Sequence, residues 1–268
     1  MYRNKEIFLT ENYKNGIQVP DIRGQFRSLE PVILERVEIL SLIEQFQFNF
    51  LDDNRWQFIV SGLKNTIIIT FFAVLLGIFL GFVIAIVRST HDKTGKLKIL
   101  NAICRVYLTV IRGTPTMVQL LIVYYVIFAT VDPGKIVVAI IAFGMNSAAY
   151  VAEIVRSGIM SIDQGQFEAG RSLGLNYTQT MTKIILPQAV KNILPALGNE
   201  LIVLLKETSI SGYIGLTDLT RGGDIIRSQT YSALFPLLAV AAIYLVIVCF
   251  LTYLVGKLER WLRTNERK

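Results

Sequence analysis

The chain has 268 residues, 53% of them hydrophobic and 18% charged, with a mean hydropathy of +0.50 and a formal net charge of +7. Soluble domains carry about 45–50% apolar and about 25% charged residues; here the apolar excess is gathered into blocks, with no charge between Lys64 and Arg88 or between Arg227 and Lys257. Disorder, a soluble globular fold and a β-barrel are excluded, because helices apolar all round need lipid or protein on every side and barrel strands alternate.

Residues 1–55 read as a separate region, with seven Lys/Arg against nine Asp/Glu, a balance of −2. The apolar run from Leu29 to Leu51 is interrupted by Glu30, Glu35, Arg36, Glu38 and Glu44, whose burial in lipid is costly. It is expected to form a surface amphipathic helix, with Ile33, Val37 and Leu40 on one side. No apolar signal-peptide core is visible at the N-terminus.

Five spans are expected next, in an all-α membrane domain over 56–256. The first covers about Thr66–Val87 and contains Gly77 and Gly81, a GxxxG pair that lets a second backbone approach closely. The second covers about Ala102–Thr130, with a kink expected at Pro115. The third runs about Ile136–Val155. The fourth, about Ile193–Ile214, is the least apolar, and the fifth covers about Tyr231–Val255. Lys/Arg counting in the loops groups Arg88, Lys93, Lys96 and Lys98 with Arg156, Arg171, Lys183 and Lys191 and with the tail 257–268. These segments are expected in the cytoplasm, which places the N-terminus outside and the C-terminus inside a plasma (cytoplasmic or inner) membrane. The net basicity thus reports orientation in a lipid bilayer, and no nucleic acid partner is expected.

The loop 157–192 between spans three and four carries the most specific pattern. It reads as two short helices broken at Gly174, the second opened by an Asn176–Gln179 capping box. Pro187 disfavours helix at Leu186. Phe167, Leu173 and Leu175 are expected to form an apolar knob suited to docking. Glu168, Ala169, Gly170, Gly174, Ile184, Leu186 and Pro187 fall in the register of the EAA motif, so the loop resembles that of ATP-binding cassette (ABC) importer permeases, with Gly170 in place of the second alanine.

Three further segments are similar to the polar amino acid uptake branch of that family: Arg112-Gly-Thr-Pro115 with Gln119, Ala149-Tyr150-Val-Ala-Glu153-Ile-Val-Arg156, and Leu205-Lys206-Glu207-Thr208-Ser209. The resemblance implies the type I importer permease fold, a coupling role for Glu168, Ala169, Gly170, Gly174, Leu175, Ile184, Leu186 and Pro187, and four kinds of partner. These are two ABC ATPase subunits, a second permease subunit (identical or paralogous), an extracytoplasmic solute-binding protein and a polar amino acid. The chain itself lacks the phosphate-cradling GxxxxGK[ST] pattern, so ATP hydrolysis is expected in a partner. No catalytic residue, cofactor or metal site is expected. The rival classes are an ion-gradient-driven transporter or channel, and an intramembrane enzyme.

Polar residues inside spans are the pathway candidates. Arg112, Thr116 and Gln119 share one helix face, as do Asn146, Tyr150 and Glu153; Glu200, Lys206, Thr208 and Ser209 complete the set. A transported α-amino acid needs an acceptor for its ammonium and donors for its carboxylate. Plainer roles compete: Glu153 can pair with Arg156 at i,i+3, Arg112 can snorkel, and Lys206 with Glu207 can hold an interface or gate.

Overall fold

A computed structural model of the chain describes residues 41–264, except the side chains at 93, 94, 263 and 264. The greater part of the amphipathic segment expected over 29–51, with Ile33, Val37 and Leu40, lies outside the described residues, as do residues 265–268 of the tail. The chain divides into two compact units, 1–48 and 49–268. Within the first, residues 41–46 are helical.

The second unit is helical throughout its regular elements, among the described residues. Helix α1 (Trp56–Thr94) has 39 residues and is about 58 Å long at 1.5 Å per residue, well beyond the expected span at both ends. It stops where Gly95 takes the left-handed conformation at φ +64 and its N–H bonds the His91 carbonyl. Helix α4 (Lys135–Met160) is the central element, with Phe143, Ala148, Ala149 and Val151 fully buried. The GxxxG pair does what its spacing implies. A Cβ on Gly77 would lie 2.8 Å from the Ser147 side chain, and one on Gly81 2.6 Å from that of Val151, so α1 and α4 meet nearly backbone to backbone. Around this seam Ile69, Ala73, Val138, Phe143 and Leu204 form the largest apolar core.

The expected second span is broken. Helix α2 (Lys98–Gly113) and helix α3 (Thr116–Ile122, with a wider turn to Ile127) meet at 114°. The cause is local: the residue before a proline is pushed out of the helical region, and Thr114 is extended at φ −123, ψ 150. A straight crossing with a kink was too weak an expectation.

Helix α5 (Gln164–Ser172) and helix α6 (Tyr177–Thr180) lead through a wide turn, Met181–Ile185, into helix α7 (Leu186–Glu207). Leu186 is helical, contrary to expectation. A proline in the first turn of a helix removes only an N–H that has no partner there, so Pro187 is accommodated. After α7 a tighter helix runs Thr208–Ile214. The segment 215–230, expected as a loop, contains helix α8 (Leu219–Thr230), capped by Asp218 through bonds from the Thr220 and Arg221 N–H groups at 3.2 Å. Helix α9 (Leu234–Thr264) continues into the region expected as a tail.

Among the described residues three helices, α1, α4 and α9, are long and apolar enough to cross a membrane, and the bent pair α2–α3 makes a fourth crossing if it counts as one. Helix α7 is too polar to qualify, as the low apolarity of the expected fourth span foreshadowed. Exposed Phe71, Phe72 and Phe79 on α1 and Leu245, Val246 and Phe250 on α9 present the all-round apolar surface that lipid requires.

Candidate functional site

The loop residues form a compact unit. Asp163 caps α5 by accepting the Gly165 N–H at 2.6 Å, and the expected capping box closes at 2.9 Å in both directions between Asn176 and Gln179. Gly174 sits between the two helices at φ +75, and nothing lies within 4 Å of where its Cβ would be. Its N–H bonds the Arg171 carbonyl and that of Leu175 bonds the Gly170 carbonyl, which closes the end of α5. Gly170 is buried, and a Cβ there would fall 2.6 Å from Thr180 Cγ2. The glycine that replaces alanine in the motif is therefore what lets α5 lie against α6.

Glu168, Ala169 and Pro187 are exposed, while Leu175, Ile184 and Leu186 are half-buried. The expected apolar knob is smaller than the sequence suggested. Leu173 is 76% exposed, but Phe167 turns inward and lines a cavity of about 250 Å³ with Arg156, Met160 and Tyr177. The loop is thereby tied to the end of α4. Close by, Ile193 Cγ1 lies 2.4 Å from where a Gly158 Cβ would be, and Asn192 donates to Ser161 Oγ at 2.8 Å, so α7 and α4 are joined where the loop begins and ends.

The polar residues of the spans separate into two environments. Gln119 and Asn146 are buried. The Gln119 amide donates to the carbonyls of Ile111 (2.8 Å) and Thr114 (3.0 Å) and to Thr114 Oγ1 (2.9 Å), which stitches the break between α2 and α3. Its oxygen accepts from Asn146 Nδ2 at 2.9 Å, and Asn146 also reaches Thr116 Oγ1 at 3.4 Å. Glu200 is buried as well and accepts from Ser147 Oγ at 2.8 Å. Thr208 bonds the Leu205 carbonyl at 2.8 Å, inside the core. Lys206 is exposed, and Ser209 lines an open cavity with Arg221 and Asp224.

The second environment is a cavity of about 590 Å³ among α1, α2 and α4. Arg88, Arg105, Arg112 and Arg156 line it together with one carboxylate, Glu153. Arg156 grips Glu153 through Nε at 3.1 Å and through Nη2, and Arg112 Nη1 lies 3.6 Å from its other oxygen. The Arg112 guanidinium also sits 6.0 Å from the centre of the Tyr150 ring, at the limit of a cation–π contact. The i,i+3 pair weighed from sequence is present, extended across helices by Arg112. Two partners were missed: Arg88, counted only as a loop charge, and Ser147, hidden among small residues. The spacing of Arg105 and Arg112, seven apart on one face of α2, was the available signal for the cavity.

A bundle of apolar crossing helices with a structured polar loop joining two of them defines a membrane-embedded transport component. The chain belongs to the family of binding-protein-dependent transport system inner membrane components, whose pattern it matches over residues 73–264. It is 39% identical over 211 residues to an arginine transport system permease protein of Bacillus subtilis, covering 78% of this chain and 94% of that one. It is 36% identical over 205 residues to a glutamine transport system permease protein of Escherichia coli, covering 75% and 91%. In three dimensions it superimposes on a chain from the crystal structure of an amino acid ABC transporter with histidines at a TM-score of 0.71 and 42% identity, over 79% of this chain and 97% of the other. The resemblance to ABC importer permeases read from the motifs is borne out.

Proposed function

We propose that the chain is one permease half of an ATP-driven importer of polar amino acids. The observation that carries this reading is the self-contained α5–α6 unit, which exposes Glu168, Ala169 and Leu173 beside a left-handed Gly174 with open space around it. In this reading two ABC ATPase subunits receive those units from two permease halves, and ATP is hydrolysed there. An extracytoplasmic solute-binding protein delivers the amino acid. The loop 157–192 and the residues 257–268 face the cytoplasm, residues 1–55 form an extracytoplasmic extension, and 56–256 is the permease domain. In this reading movement of α5 reaches α4 through Phe167, which shares a cavity wall with Arg156 and Met160, and the Gly158–Ile193 contact ties α4 to α7.

The pathway assignment draws on the same arrangement. Arg112 and Glu153 line the cavity with Tyr150 beside Arg112, and Thr116, Gln119 and Asn146 are joined at the helix break; Glu200, Lys206, Thr208 and Ser209 lie along α7 and its tight extension. That two relatives are an arginine and a glutamine transport system permease protein supports a polar amino acid as the substrate. Reconstitution in liposomes tests the reading. Uptake of a polar amino acid is expected only with ATPase subunits, ATP and the binding protein present. Uptake by the chain alone, driven by an ion gradient, would make it a secondary transporter or channel instead.

A further inference from the structure

The cavity of about 250 Å³ at the loop end of the bundle lies between α1, α4 and the α5–α6 unit. Its buried side is apolar: Ala85 and Ala152 are buried there, with Ile159, Phe167 and Met181 half-buried around them. Its exposed side carries Asp92, Met160 and Tyr177, so the space is reached from outside the bundle. Small-molecule sites have this build, a mostly apolar wall with a few placed polar groups.

Those polar groups are of both signs. Arg88, Arg156 and Asp92 are the charged side chains in the wall. Arg156 is divided in its contacts. Its Nε and Nη2 hold Glu153, which does not line this cavity, whereas its Nη1 reaches the Met160 sulfur at 2.8 Å. A thioether is a weak acceptor, so one edge of a charged guanidinium is poorly matched beside the cavity. Asp92 meets His91 Nδ1 at 3.4 Å, and its charge acts on Arg156 although no ion pair joins the two among the described residues. A cationic edge and a carboxylate thus share one small cavity without neutralising each other.

We propose that this cavity binds an α-amino acid with an apolar side chain, its carboxylate on Arg156 Nη1, its ammonium on Asp92 and its side chain against Phe167 and Met181. A simple anion leaves Asp92 facing a like charge, and a simple amine leaves the Arg156 edge facing one; a zwitterion answers both. The charge-assisted bond to the carboxylate is stronger than the contact with sulfur that it replaces. The apolar wall separates this ligand from the polar substrate proposed above. Once bound, it braces the α5–α6 unit against α1 and α4. Binding here does not rest on the uptake reading, and the two fail separately.

Equilibrium binding of radiolabelled phenylalanine to the full-length chain, purified in detergent with its copurifying subunits, tests the site. Saturable binding is expected, and an equal concentration of glutamine or arginine should not displace it. Phenethylamine, which lacks the carboxylate, should compete at least about tenfold more weakly than phenylalanine, the usual effect of losing a hydrogen bond to a charged group. Hydrocinnamate, which lacks the ammonium, should compete about fivefold more weakly, because Asp92 is exposed and its ion pair is screened. In Asp92→Asn the preference for phenylalanine over hydrocinnamate should vanish, a change that a merely structural role of Asp92 does not produce. Met160→Trp, at an exposed position, should fill the cavity and abolish binding. No saturable binding, displacement by equal glutamine or arginine, full binding in Met160→Trp, or an unchanged preference in Asp92→Asn overturns the proposal.

Discussion

Gly174 offers a test in which backbone strain and partner contact predict opposite orders of damage. Its φ of +75 places it in the left-handed region, where a residue with a Cβ loses about 1–2 kcal/mol and asparagine loses less. Among the described residues other than its two chain neighbours, no atom lies within 4 Å of the position a Cβ would take. Three variants separate the two effects. If strain alone matters, Gly174→Ala lowers the population of the closed α5–α6 turn by about 5- to 30-fold from that 1–2 kcal/mol, and Gly174→Asn is milder. If an ATPase surface fills the space beside Gly174, bulk decides: Gly174→Asn is worse than Gly174→Ala, and Gly174→Asp, with a charge as well, is worst. The coupling reading predicts the second order. The assay is ATP-dependent uptake in proteoliposomes alongside ATP hydrolysis, with membrane insertion and unfolding temperature as controls. Gly174→Asp is expected to insert normally and to hydrolyse ATP without accumulating substrate. Wild-type uptake by Gly174→Asp would refute the role given to the loop, and greater damage from alanine than from asparagine would reduce that role to local folding.

Three other perturbations have defined outcomes. Gly81→Leu drives a side chain into Val151, whose nearest atoms lie 2.6 Å from the Cβ position, so the α1–α4 seam should lose about 1–3 kcal/mol, seen as a lower unfolding temperature in detergent. Gln119→Leu keeps the volume but leaves the Ile111 and Thr114 carbonyls and Asn146 Nδ2 short of partners; about 1–3 kcal/mol per unmet buried group should loosen the α2–α3 corner, read as faster proteolysis there. Burial pushes the Asp218 carboxyl up to about 6 from 3.8, so the folded state disfavours its charged form. That contribution is fully present below about pH 4 and is lost as pH rises through about 6, a difference of about 3 kcal/mol at 1.36 kcal/mol per unit. Asp218→Asn retains an N-cap acceptor and should flatten the fall in unfolding temperature between pH 4 and pH 7.

Much of the fold was legible because lipid imposes simple rules. An uncharged run long enough to cross the hydrocarbon announces a helix, so α1, α4 and α9 were found, although their ends run several residues beyond the apolar segment. Helix ends lie in water, where hydropathy has no boundary to detect. The capping box at Asn176 and the glycine seam at Gly77 and Gly81 were also readable, since each depends on residues three or four apart. What escaped depended on contacts distant in sequence. Helix α8 is short and rich in charge, and it is held by Asp218 at its cap and by Thr66 of α1, whose Oγ1 accepts the Leu219 N–H at 3.1 Å. The severity of the break at Pro115 depended on a glutamine that takes up the freed carbonyls, and a lone Gln119 in an apolar run does not reveal what it bonds.

The polar residues of the spans show the same limit more sharply. Hydropathy marks Gln119, Asn146, Glu153 and Glu200 alike as expensive in lipid, yet their surroundings differ. Gln119, Asn146 and Glu200 are buried against partners on neighbouring helices, whereas Glu153 lies at a cavity wall between two arginines. An intramembrane polar group must find a hydrogen-bond partner, and a partner within the protein meets that need as well as a substrate does. Glu153 is held by side chains with other room to move: Arg112 is 45% and Arg156 41% exposed. A carboxylate gripped by exposed arginines can exchange them for a cationic ammonium at modest cost, while one buried against Ser147 cannot without opening the α4–α7 contact. Glu153→Gln should therefore alter substrate selectivity in uptake with little change in unfolding temperature, and Glu200→Gln should do the reverse. If both variants lose uptake in proportion to their loss of stability, the cavity contributes structure alone.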